Sequence, residues 1–152
     1  MLPQQEIVEK WIERLADSQP QQSTALRTPQ PDPFRNPVGY AVRKSLAQLW
    51  EELLGDMKPE VIDEALDTIL RIRAVQDVSP SEAVGFVDQL RPLLRETRLP
   101  LDLALLEARI DRLTLAAHDK YVQCREQIAA VRLHEIERLT GLQGTAAGKA
   151  RK

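Results

Sequence analysis

From Leu101 to Leu139 the chain contains neither proline nor glycine. Nothing in that stretch removes a backbone donor or loosens the chain, so one uninterrupted helix of roughly 60 Å is allowed. Leu103, Leu106, Ile110, Leu113, Ala117, Tyr121, Cys124, Ile128 and Val131 recur along it at spacings of three and four. That is a seam of heptad type, with a stutter at Ala117 and Tyr121, where two spacings of four adjoin. Such a helix outreaches the core that a domain of 152 residues builds around itself. The sequence therefore predicts that its C-terminal half meets another chain. Ile110, Leu113, Ala117, Tyr121, Cys124, Ile128 and Val131 are the expected dimer seam, across a two-fold axis.

The remaining segments also read as helices. Ile7, Val8, Trp11, Ile12 and Leu15 give a first amphipathic stripe. Pro20, Pro29, Pro31 and Pro33 then fall within Ser18–Arg35, which reads as an extended loop pinned to the surface by Phe34, with room for one short helix. Asn36 followed by Pro37 suits an N-cap and first helical position, and Gly55 a C-terminus. Pro59 opens a third helix through Ile72, and Ser79-Pro80-Ser81-Glu82 opens a fourth that runs through Leu94. No bounded alternating run marks a strand. The expected fold class is all-α, a helical bundle of five to six helices with a long C-terminal helix. One domain covers 1–140, and Gly141, Gly144 and Gly148 mark a flexible basic tail over 141–152.

Composition narrows the function. A content of 43% hydrophobic and 29% charged residues belongs to a folded chain. A formal charge of −2 supplies no basic field for nucleic acid, and Lys149, Arg151 and Lys152 read as a solvated end. The N-terminus lacks a basic region followed by an apolar run, and no apolar stretch reaches the ~20 residues of a membrane span. With Cys124 the one cysteine, a disulfide within the chain is impossible. The expected location is the cytoplasm.

Catalytic and metal chemistry find little support. His118 and His134 are sixteen residues, about 24 Å, apart on one helix and cannot share a metal. No cysteine and histidine stand at zinc-ligand spacing, so no cofactor is expected and a haem ligand is the weaker reading of either histidine. Cys124 lies on the apolar stripe, where cysteine behaves as a small core residue. Nucleophile elbow, phosphate loop and metalloprotease motifs are all missing, which argues against an enzyme.

Two charged clusters are the candidate sites. Arg71, Arg73, Gln76 and Asp77 end the third helix, while Glu107, Arg109, Asp111 and Arg112 interrupt the long one. Arginine near a helix C-terminus complements the dipole without any function. Glu107 and Asp111 are a like-charge i,i+4 pair, so each is expected to find a partner on another helix. The structural reading is an interhelical ion-pair network; the functional one is an anion pocket lined by Arg71, Arg109 and Arg112. The aromatic residues Trp11, Phe34, Tyr40, Trp50, Phe86 and Tyr121 are scattered, as core residues are, with Trp11 as an alternative interface anchor.

Phe34-Arg35-Asn36-Pro37-Val38-Gly39-Tyr40, the block from Arg71 to Ala83, and Leu106-Glu107-Ala108-Arg109-Ile110-Asp111-Arg112-Leu113, with Tyr121, Cys124, Arg125 and Glu126, carry a resemblance. From Trp11 to about Arg138 the chain resembles the RsbRD N-terminal domain family. The resemblance implies a bacterial sensory or regulatory domain of stress signalling. Related domains are helical dimers, some globin-like without haem, that stand before a STAS domain and pass the signal along a joining helix. This sequence ends at Lys152 without a STAS domain, so the output is expected in trans, through an unidentified regulatory protein partner. The expected function is a non-catalytic sensor module that forms a homodimer and binds that partner. The alternatives are an anion or small-molecule receptor at the Arg71, Arg109 and Arg112 region, and an adaptor subunit of a larger complex.

Overall fold

The computed structural model describes residues 2–18, 26, 32–97 and 100–151, with side chains given for 5–18, 26, 32–97 and 100–141. Among them run α1 (Leu2–Asp17), α2 (Pro37–Leu54), α3 (Pro59–Val75), α4 (Pro80–Asp88), α5 (Leu90–Glu96) and α6 (Leu103–Arg151). The described residues are all-α, as the periodicity implies, with no strand.

Local chemistry sets the boundaries. Asn36 caps α2 by accepting a hydrogen bond from the Gly39 amide at 3.0 Å, and Pro37 takes the first position. Ser79 does the same for α4, accepting from the Glu82 amide at 3.3 Å. The expected single helix from Ser79 to Leu94 is divided in two at Gln89. Pro92 explains the division. It has no N–H for the carbonyl of Asp88, and in a continuous helix its ring would strike that carbonyl.

α2 and α3 form an antiparallel pair across the turn at Gly55 and Asp56. α4 and α5 then return so that α6 runs parallel to α3. Rising numbers on α3 meet rising numbers on α6: Asp63 pairs with Lys120, Asp67 with Cys124 and Arg71 with Gln127. Against α4 and α5 the order reverses, from Val78 beside Tyr121 to Arg95 beside Glu107. α1 packs across α2, α4 and α5. Its Trp11 stacks on Phe86 with ring centroids 6.0 Å apart and donates its indole N–H to the Phe86 carbonyl at 2.6 Å. Trp11 is thus a core residue rather than an interface anchor.

Two sequence expectations about the loop change. Phe34 does not pin it: the side chain is 94% exposed, on a short turn held by Asp32. The buried anchor is Leu26, whose carbonyl accepts from Arg43 at 3.3 Å. Most of the expected proline-rich loop lies outside the described residues, as do the side chains of the expected tail beyond Gly141. Tyr40 is also on the surface, 41% exposed, whereas Trp50 and Phe86 are buried.

Candidate functional site

α6 has two parts. Over its first part, Leu106, Ile110, Leu113, Ala117, Tyr121 and Cys124 are each 3% exposed or less, all packed in the core of their own chain. This corrects the expected dimer seam. Its residues from Ile110 to Cys124 are taken up by α3 and α4, Ile128 is partly buried at the edge, and Val131 is exposed. A full burial of one large aliphatic side chain is worth about 1.5–3 kcal/mol, so Leu106, Ile110 and Leu113 alone hold α6 to the bundle more firmly than the exposed ion pairs around them. Through the stutter at Ala117 and Tyr121 the helix continues unbroken. Beyond Ile128 it runs free of the bundle, and Val131, Leu133, Ile136 and Leu139 are 56–63% exposed.

The charged clusters flank the buried part. Asp111 pairs with Arg91, which also holds Asp88 at 2.9 Å, and Glu107 pairs with Arg95 at 3.7 Å. Both carboxylates of the like-charge pair therefore find arginines on α5, as their spacing requires. Arg109 turns the other way. Its guanidinium donates to the carbonyls of Leu53 at 2.7 Å and Gly55 at 2.8 Å, satisfying the open end of α2.

At the far end of α3, Arg71 holds Asp67 through two hydrogen bonds, at 2.9 and 3.2 Å, and Gln127 at 3.0 Å. That bond from Arg71 keeps the Asp67 carboxyl below its ordinary value, against the opposing effect of burial. Cys124 donates its thiol to Asp67 at 3.7 Å; burial, then the nearby carboxylate, pushes the thiol up and makes it unreactive. Arg73 is buried, 3% exposed, and donates to Ser18 at 3.4 Å; burial holds its guanidinium below the usual value. Gln76 closes α3, with its amide bonded back into the helix, and Asp77 follows in a left-handed conformation at φ 60°, paired with Arg125. Tyr121 donates its hydroxyl to the Val78 carbonyl.

The candidate residues thus fall into two groups. Arg109 and Arg112 stand near the turn that joins α2 to α3, and Arg71, Arg73, Gln76 and Asp77 near the opposite end of α3. Arg71 meets α6 at Gln127, eighteen residues or about 27 Å along the axis from Arg109. The three arginines of the expected anion pocket do not converge, because helix numbering alone hides which end of α6 each one meets. Two features of this region were not legible in the sequence. One is the role of Arg109 as a cap on another helix. The other is an open cleft of about 280 Å³ lined by Met57, Pro59, Ile62, Asp63, Leu66, Arg112, Leu113 and Ala116. Among the described residues no group of three or more His, Cys, Asp or Glu is placed to hold a metal ion, and His118 and His134 are exposed on α6. None of the described helices is long and apolar enough to cross a membrane.

These are the marks of an all-helical bundle in which Arg71, Arg91, Arg95, Arg109 and Arg125 join helices, with one long helix carried past the core. Residues 5–136 match the family described as the RsbT co-antagonist protein rsbRD N-terminal domain, and the chain belongs to that family of sensory and regulatory domains. No curated protein and no solved structure matches it.

Proposed function

We propose that the chain is a non-catalytic sensory module of cytoplasmic stress-response partner switching, and that it acts as a homodimer whose projecting α6 halves also present the surface for a regulatory protein partner. The observation that carries this reading is the free half of α6, where four large aliphatic side chains stand in solvent on a helix already held rigid by the core.

The register supports a second copy as the first occupant. Ala129, Leu133, Ile136 and Thr140 follow at spacings of four, three and four, a short heptad seam on a different face from the buried one. Arg132 and Glu137 flank it five residues apart, the separation at which a parallel pair forms interhelical ion pairs. Within the bundle the same line alternates the exposed Leu115 and Val122 with Arg112, Asp119 and Glu126, whose charges disfavour a continuous seam, so pairing is assigned to the part beyond Ala129. The family supplies the biological setting: it is one of regulatory sensory domains, which supports a role through protein contacts.

Sedimentation velocity over a concentration series tests the reading. Wild type is expected to pass from monomer to dimer, and the double variant Leu133→Glu, Ile136→Glu to stay monomeric with an unchanged unfolding midpoint. A wild type that is monomeric at several hundred micromolar defeats the dimer.

A further inference from the structure

The cleft beside α6 follows from three local features. Met57 is forced into the left-handed region, φ 53°, by the tight turn between α2 and α3, which tucks its side chain inward to 9% exposure. Pro59 then starts α3 at once, so Ile62 and Leu66 line the near wall. On α6 the facing residues are Leu113 and Ala116, and the single methyl of Ala116 leaves open the space that a larger side chain would fill. The floor is therefore aliphatic, while the rim carries one acid and one base, Asp63 and Arg112.

Those two charges are not equivalent. Asp63 is already neutralised by Lys120 at 2.8 Å. Arg112 has no hydrogen-bond or ion-pair partner among the described residues, whereas Arg91, Arg95, Arg109 and Arg125 are all engaged across the bundle. An aliphatic floor under an unmatched guanidinium selects for a ligand with an apolar body and a single negative charge. A cation would meet Arg112 and Lys120, and a neutral ligand would gain nothing from the rim. At about 280 Å³ the cleft lies just below the ~300 Å³ at which ordinary ligand pockets begin, so the body is one ring or one branched alkyl group.

We infer that the cleft formed by Met57, Ile62, Leu66, Leu113 and Ala116, with Arg112 at its rim, binds a small aromatic or branched-chain monocarboxylate. The inference deepens the sensory reading above by giving the module a ligand class, and it rests on that reading only for the ligand's biological use. It differs from a pocket shared by Arg71, Arg109 and Arg112, since Arg109 is occupied as a cap and Arg71 is remote.

The test is a methyl-detected NMR titration of the full chain with 3-phenylpropionate as probe, run beside its alcohol, 3-phenylpropanol. Saturable shifts centred on the methyls of Met57 and Ile62 are expected. Binding should weaken roughly fivefold both for the alcohol and for Arg112→Gln, the scale of one exposed charge contact. Ala116→Phe, which fills the opening from an exposed helix position, should abolish the shifts. Equal binding of acid and alcohol, shifts that remain in Ala116→Phe, or no saturation by 10 mM would each overturn the proposal. A cleft that ignores the free acid but takes an acidic peptide would overturn it in favour of a protein contact. Sedimentation of the same samples reads the dimer independently, so failure of the cleft and failure of the dimer are told apart.

Discussion

Trp11 and Phe86 are joined twice, by ring stacking at 6.0 Å and by the indole N–H donated to the Phe86 carbonyl at 2.6 Å. Seventy-five residues apart in sequence, they tie α1 to α4 at a point where both are fully buried. Trp11→Phe keeps most of the ring and leaves that carbonyl unsatisfied. It should cost about 1–3 kcal/mol in urea unfolding, the penalty of one orphaned buried polar group, with a smaller loss for the missing volume.

Arg109 closes the end of α2 from another helix. Arg109→Met should destabilise the domain by about 1–3 kcal/mol, because two carbonyls lose a charged donor. Arg109→Lys should recover only part of this, since the shorter lysine stem does not carry its nitrogen to the place where Nη1 of Arg109 donates to both oxygens. Equal stability of the lysine variant and wild type in chemical denaturation would show that any cation within reach of this helix end suffices.

Asp67 gives a pH signature. Its carboxyl is held below the ordinary value, chiefly by the bond from Arg71. A folded-state pKa below the unfolded one contributes stability that is present above about pH 4 and lost as the pH falls through the folded value. Wild type should therefore exceed Asp67→Asn in stability at pH 7, and the two unfolding curves should converge as the pH is lowered below about 4. A difference that stays constant down to pH 2 would assign the effect to packing instead.

The thiol of Cys124 offers a probe of opening. It is 1% exposed and pushed up by burial. Reaction with a disulfide reagent at neutral pH should be slow, limited by unfolding, and should accelerate with urea in step with the unfolding rate. A rapid burst in the absence of denaturant would mean that α6 leaves α3 readily.

Ile110 and Ile136 are chemically alike and lie on the same helix, one 0% and the other 59% exposed. In dilute monomer, Ile110→Ala should cost about 2–5 kcal/mol and Ile136→Ala no more than about 0.5 kcal/mol. Thermal denaturation at low protein concentration separates them.

That same pair marks where sequence reasoning stops. Hydrophobic spacing along α6 identifies the face that must be buried, and Leu106 through Cys124 are buried. Spacing does not say by what, since a second copy and the chain's own α3 satisfy the same stripe equally. The caps at Asn36 and Ser79 were legible because a side chain and a backbone amide three residues apart are local. Pro92 carries a local signal for the break at Gln89, but the apolar positions from Ala83 to Leu94 keep a helical spacing across it. Phe34 was a reasonable anchor by hydrophobicity, yet Leu26 holds the place, a choice made by tertiary fit. The partners of Arg71 and Arg109 depend on which end of α6 each meets, and no spacing within a helix encodes that.

A rod clamped at one end is a mechanical amplifier. α6 is gripped from Leu106 to Cys124 and unsupported after Ile128, which puts Gly141 about 20 Å beyond that last point of support. A tilt of only ~5° in the grip carries that point sideways by about 1.7 Å, within the ~1–2 Å range of helix shifts that switch interfaces. An event at the Met57 turn or beside Arg109, too small to break a single core contact, would thereby be enlarged into a displacement that a neighbouring molecule could register.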